Sequence, residues 1–197
     1  MDKVHILIEG YAFPNEDGTY TASPTTSLIE TEGKKILIDP GTNKEKLLKE
    51  LSDLDLQPNE IDFIYLTHYH PDHFLNICLF PDKDVYDGTT LWRKDQELFH
   101  KEFIPGTHIV ILSTPGHSAE HTSLLVETEE GMQCIAQDVF WWEDGKQDSD
   151  SEQSLLDLED PFASDKSALL ESRKLVLEKA DWIIPGHGKM FQNPRRK

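Results

Sequence analysis

Cysteine is scarce in this chain of 197 residues: there are two, Cys78 and Cys134, with no CxxC spacing between them. Each sits in an apolar run, so the reading is two buried thiols rather than a disulfide, and nothing calls for an oxidising compartment. Long apolar runs are missing as well. No stretch approaches the ~20 residues that span a bilayer, and the opening "MDKVHILIEGYAF" lacks the apolar core and cleavage site of a signal peptide. A soluble, cytoplasmic protein with no membrane partner is expected. Basic residues are the minority, 19 against 37 acidic ones, for a net charge of −18. Such a chain repels phosphate backbones at a distance. That disfavours nucleic acid as a partner without excluding it, because a local basic patch is compatible with the total. The cluster "RRK" at 195–197 reads as a solvated tail.

What is present suits one domain over residues 1–197, large enough to bury a core without staples. No repeat of solenoid period occurs. Strand-like runs lie at 4–10, 27–31 and 34–41, with "TEGKK" turning between the last two. The polar stretch between Tyr11 and Thr26 turns at Asp17-Gly18. A helix is expected over 43–54, with Leu47, Leu48, Leu51 and Leu54 on one face, and then a strand over 61–67. Further strands are expected at 107–114, 121–128, 132–138 and 181–188. A second helix is expected over 164–180, capped by Ser164. The densest acidity, "EDGKQDSDSEQSLLDLED" at 143–160, reads as a long surface loop, mobile or weakly helical, and its spacing matches no EF-hand. Two halves, each of strands plus a helix, suggest two sheets packed face to face with helices outside: an α/β fold of four layers.

The stretch "THYHPDH", 67–73, follows the apolar run "IDFIYL" and offers four potential metal ligands, His68, His70, Asp72 and His73. In an extended chain His68 and His70 point the same way. Pro71 stops the strand, so Asp72 and His73 can turn onto a helix start. One metal takes three or four protein ligands; with four here, distant residues must complete two sites. Three candidates follow apolar strands beside tight turns: His117 in "STPGHSAEH", Asp138 in "CIAQDVF" and His187 in "IIPGHG". Neutral imidazoles with carboxylates suit zinc, and also iron or manganese. Asp138 can place one oxygen on each of two ions. The competing reading, an ordinary histidine-rich surface turn, fits poorly with five of the nine histidines being among these candidates.

"HYHPDH", then "TPGH", an aspartate after a strand and "PGHG" resemble the ligand motifs of the metallo-β-lactamase-fold superfamily, in order and over nearly the whole chain. The resemblance implies an αββα sandwich with two Zn2+ ions at one edge of the sheets. It implies that His68, His70 and His117 hold one ion, that Asp72, His73 and His187 hold the other, and that Asp138 bridges them. It also makes Asp39, in "ILIDPG", a support for a ligand histidine, the alternative being a turn residue before Pro40. His121 comes out as structural or supporting, in a segment where Ala119-Glu120 stands in place of the usual Pro-Gly. Trp141 and Trp142 are either core or a wall facing substrate.

The chemistry implied is that of a dinuclear-zinc hydrolase cleaving an ester, thioester, lactone or phosphodiester bond of a small molecule. Two ions activate a shared water, and Asp72 handles the proton. A one-iron persulfide dioxygenase of the same fold and a short nuclease are the alternatives. The segment "DHFLNICLFP" resembles that of short single-domain members, with Leu75 in place of a glycine. Substrate and oligomeric state are not legible.

Overall fold

A computed structural model describes residues 1–196. Successive side chains of a strand face opposite ways, and three apolar clusters sort these faces into layers. Strands β1 (Lys3–Ile8), β4 (Thr26–Thr31), β5 (Lys34–Ile38), β6 (Phe63–Tyr65), β7 (Asp84–Tyr86), β8 (Thr90–Arg93) and β9 (Gln96–Phe99) form one sheet in the order β1-β4-β5-β6-β7-β8-β9. Strands β10 (Val110–Ser113), β11 (Thr122–Thr128), β12 (Gly131–Trp141), β13 (Trp182–His187) and β14 (Phe191–Gln192) form the second, in sequence order. The hairpin of β2 (Tyr11–Pro14) and β3 (Tyr20–Ser23) stands apart from both.

Ile29, Ile36, Ile38, Phe63 and Tyr65 of the first sheet share one cluster with Ile111, Leu124, Val126, Ile135 and Ile184 of the second, so these faces pack together. The neighbouring residues Leu28, Leu37 and Ile64 point the other way, onto Leu47 and Leu51 of helix α1 (Lys44–Asp53). Leu125, Cys134 and Ile183 likewise face Leu155 of α3 (Glu152–Leu156) and Leu169, Val176 and Leu177 of α4 (Lys166–Lys179). The architecture is α/β, an αββα sandwich. At ~25 cal/mol per Å² of apolar surface, two-sided burial of each sheet is the dominant stabilising term. The short helix α2 (Pro71–Phe74) lies at one end of the sandwich.

The pairs β5–β6, β6–β7 and β12–β13 are parallel. In such sheets the carboxyl ends of parallel strands are where a crevice opens, and the ligand candidates gather there: four just past β6, His117 past β10, Asp138 in the irregular carboxyl half of β12 and His187 at the last position of β13.

Several expectations need correction. Cys78 is exposed, not buried; only Cys134 is buried, and both are free thiols. After α2 the chain tightens into a 3-10 turn, Leu75–Leu79, whose three-residue period turns Leu75 and Cys78 out together. Leu54 is exposed because α1 ends one residue earlier; Leu56 fills the core in its place. Helix α4 is capped by Asp165, which accepts from the amides of Ser167 and Ala168, while the Ser164 hydroxyl donates to Gly116 O. The acidic segment holds a helix, α3, and ends in a buried aspartate, Asp160. Strands β7 to β9 lie where none was expected: each has three or four residues and much of their surface faces solvent, so no alternation marks them.

Candidate metal centre

Strand β6 delivers the first candidate ligands. Beyond Tyr65 the strand ends and the chain bends at Thr67, and the His68 and His70 rings come to 4.8 Å of each other, edge to face. Pro71 opens α2, whose first turn carries Asp72 and His73. His117 stands in the loop after β10. Gly116 there has φ 135°, and a Cβ on it would lie 2.2 Å from the amide nitrogen of Leu169, so only glycine lets the start of α4 close onto this loop. Ser164 N–H donates to His117 O and Asp165 N–H to Gly116 O, which clamp the loop from outside. The local turn survives Ala119-Glu120: Gly116 N–H donates to Ser118 O and Thr114 N–H to His121 O.

Asp138 follows a break in the β12–β13 ladder, where Gln137 takes φ 46° and ties its side-chain amide to Thr25 O. His187 ends β13. The residue before it must be glycine, since a Cβ on Gly186 would fall 1.7 Å from Asp138 Oδ1.

All seven side chains converge. His70 Nδ1 lies 2.8 Å from His117 Nε2 and 3.2 Å from His68 Nε2. Asp138 Oδ2 lies 3.1, 3.5 and 3.8 Å from Nε2 of His117, His73 and His68. On the far side, Asp72 Oδ2 is 3.4 Å from His187 Nε2 and 3.9 Å from His73 Nε2. Asp138 Oδ1 lies 3.9 Å from His187 Nε2. Two sets therefore form, His68–His70–His117–Asp138 and Asp72–His73–His187, with Asp138 between them. Asp39, His68 and His73 also come close, but both Asp39 oxygens are already engaged, as described next.

The outer nitrogens decide whether these groups suit a cation. His73 Nδ1 is 2.8 Å from Asp39 Oδ2, His117 Nδ1 is 2.7 Å from Asp160 Oδ2 and His187 Nδ1 is 3.0 Å from Tyr11 O. His68 Nδ1 is 3.1 Å from Thr67 Oγ1, whose own proton goes to Asp39 Oδ2 at 2.6 Å. Asp39 Oδ1 accepts the Thr67 amide. We assign Nδ1 as the donor in all four, which leaves four Nε2 lone pairs directed inward, with His70 Nδ1 among them. His73 Nε2 and Asp138 Oδ1 are buried without a hydrogen-bond partner. Lone pairs facing one another at about 3 Å repel unless a cation lies between, and the donor spacing is near the about 3.3 Å expected around a tetrahedral ion with ~2.0 Å bonds. The residues fit a metal.

The same geometry sets the ionisation of the protein groups by themselves. Burial pushes the His117 imidazole down, yet Asp138 and Asp160 outweigh it and raise it to about 9. At His73 burial is overridden in the same way by Asp138 and Asp39. His68 goes well down, from burial and then from the neighbouring His73 and His121. Burial works against the Asp138 carboxylate, but the surrounding imidazoles, His73 foremost, hold it well below the usual range. Asp72, opposed by burial, is lowered by His187 and His73.

Asp39 and Asp160 were unequal in the sequence. Asp39, at φ 45°, keeps a strained backbone to point at His73 and Thr67. Asp160 went unseen because it ends a run of acids that reads as solvated; the leucines within that run, Leu155 above all, were the available sign of burial. His121 is buried behind His68, its Nδ1 2.9 Å from Thr114 Oγ1 and its ring 4.9 Å from that of His68, outside both donor sets. Burial lowers it to about 3. Trp141 and Trp142 part ways: Trp142 packs in the core against Phe191, while Trp141 packs on Phe162 and lines the cleft over the centre. That cleft, about 480 Å³, is walled by Ala12, Tyr20, Ala22, Leu75, Trp141 and Phe162.

The chain belongs to the metallo-beta-lactamase superfamily. A family model of that description matches residues 21–86. A metallo-beta-lactamase domain-containing protein 1 of Xenopus laevis is 31% identical over 205 residues, spanning 96% of this chain and 81% of that protein. The human protein of the same name is 32% identical over the same shares. Among solved structures, a Thermotoga maritima protein described as a metallo-beta-lactamase superposes with a TM-score of 0.67 at 19% identity, covering 97% of this chain and 99% of the other. A dizinc quorum-quenching lactonase superposes with a TM-score of 0.61 at 18% identity, covering 85% and 74%. The superfamily consists mainly of metal-dependent hydrolases. No helix among the described residues is long and apolar enough to cross a membrane.

Proposed function

We propose that this chain is a dinuclear-zinc hydrolase that cleaves an ester, thioester, lactone or phosphodiester bond in a small molecule. The observation that carries the reading is the convergence of inward lone pairs in two sets joined by Asp138. His68, His70 and His117 would hold one ion, Asp72, His73 and His187 the other, and Asp138 would touch both. Once bound, such ions lower the pKa of a water towards ~7 and polarise the oxygen that gains charge.

The remaining work falls to the chain itself. Asp72 is part-exposed towards the cleft, which places its carboxylate to take a proton there; His187 and His73 hold it below the ordinary carboxylate range, so it is ionised at neutral pH and passes the proton on readily. Asp39, Asp160 and the Tyr11 carbonyl fix the ring planes of His73, His117 and His187. Trp141, Phe162 and Tyr20 offer apolar surface to the part of the substrate that does not react, and about 480 Å³ is the volume of a small-molecule site. No lysine or arginine lines the cleft, which favours an uncharged acyl substrate over a nucleic acid. The second donor set, Asp72, His73 and His187, favours two ions over the single iron of a dioxygenase.

The test is elemental analysis of protein purified without added metal, followed by ester, thioester, lactone and phosphodiester panels. Two zinc ions per chain, with turnover lost on chelation and in Asp72→Asn, is the expected result. One iron per chain with oxygen uptake on persulfides would overturn it.

A further inference from the structure

Arg173 of α4 is a cation inside the protein, 4% exposed. Among the described residues its donors go to main-chain carbonyls rather than to a carboxylate. Nε–H donates to Val139 O at 3.0 Å, and Nη1–H to Leu158 O at 2.5 Å and to Leu156 O at 3.4 Å. Nη2 is buried without a hydrogen-bond partner. Burial lowers the guanidinium to about 10, with Asp160 acting the other way, so it is charged at neutral pH. Apolar replacement of a buried charge is often neutral or stabilising, so the stability of the fold does not account for an arginine here.

The three carbonyls lie outside regular pairing. Val139 falls in the break of the β12–β13 ladder and beyond the last pair of β11 with β12. Leu156 is the last residue of α3, whose final carbonyls have no partner within the helix. Leu158 follows in the irregular stretch 157–165. Their neighbours belong to the metal centre. Val139 directly follows Asp138, and Leu158 lies two residues before Asp160, the carboxylate 2.7 Å from His117 Nδ1. The same helix holds the loop of His117, where Ser172 Oγ donates to Pro115 O at 2.7 Å. Strand β12 is buried throughout its carboxyl half and is the fixed side of this arrangement. The irregular stretch is the side that needs tying.

We propose that Arg173 is a positioning residue for the metal centre: its planar fork ties the stretch that carries Asp160 to the strand that carries Asp138, and so keeps Asp160 on the outer nitrogen of His117. The proposal rests on the reading of His117 and Asp138 as metal ligands.

Zinc affinity, read by competition against a chromogenic chelator, tests it in a double-mutant cycle. Arg173→Met should weaken binding at least about fivefold, and no more than the ~10–100-fold expected on losing the support itself in Asp160→Ala. In the Asp160→Ala background the same substitution should cost at most about twofold, because the group it acts through is gone. Leu177→Ala, one turn further along α4, destabilises the helix without touching these carbonyls and should leave the affinity of the folded protein unchanged. With cobalt in place of zinc, Arg173→Met and Asp160→Ala should alter the visible spectrum alike. Arg173→Lys keeps the charge but offers one nitrogen in place of a fork; it should weaken binding too, and it carries the test should Arg173→Met fail to fold. Wild-type affinity in Arg173→Met or in Arg173→Lys, full additivity with Asp160→Ala, or an equal loss in Leu177→Ala would each overturn the proposal alone. A wild-type chain that takes up no metal would overturn it together with the reading beneath it.

Discussion

Asp160 and Asp39 show how much of the centre resides behind the ligands. Each carboxylate takes the outer proton of one imidazole, at 2.7 and 2.8 Å, and so aims the inner nitrogen. Removing such a support typically costs 10–100-fold in metal affinity. Asp160→Ala is expected to weaken metal binding by about that factor with the fold intact, read by competition against a chromogenic chelator. Gly186→Ala should act more severely, because its methyl would stand 1.7 Å from Asp138 Oδ1 and displace the shared carboxylate; metal content per chain should fall by at least half. The histidines were legible because four candidate donor side chains stand within six residues after a buried strand. Asp160 was not, since the contact spans 43 residues and its neighbours are solvated acids.

The two longer helices were read nearly to their ends, α1 most directly, because its apolar period records which face is buried. The errors fell where the period stops, at Leu54, and where two residues compete to cap, at Ser164 and Asp165. Asp165→Ala should cost ~1 kcal/mol by loss of its two amide contacts. Leu177→Ala, wholly buried between α4 and the second sheet, should cost ~2–5 kcal/mol. Urea unfolding of the metal-loaded protein measures both. Strands β7 to β9 escaped notice because elements of three or four residues hold too few positions to show alternation.

For the molecule as a whole, stability, metal and pH are linked through the histidines. His117 by itself is raised to about 9, above the ~6.5 of an unfolded chain. In chelator-treated protein its contribution is therefore complete below about pH 6.5 and lost as pH rises through about 9. Metal competes for that proton, so affinity should climb over the same window and binding should release protons. Calorimetry in buffers of different ionisation enthalpy measures the release, and melting curves should show the largest gain on metal addition at the alkaline end. A pH-independent affinity between 6.5 and 9 would contradict the charge arrangement described.

The order of motifs, the two-sided apolar strands and the two main helices follow from the sequence alone, since each depends on residues near one another along the chain. The sequence also carries the choice of chemistry, as imidazole and carboxylate admit few roles at that density. Tertiary structure alone decided which aspartates stand behind the histidines, which of two adjacent tryptophans faces the cleft, and that a chain with few basic residues leaves none over the centre. Those outcomes depend on how two sheets lie against each other, and residues far apart in sequence carry no local mark of meeting.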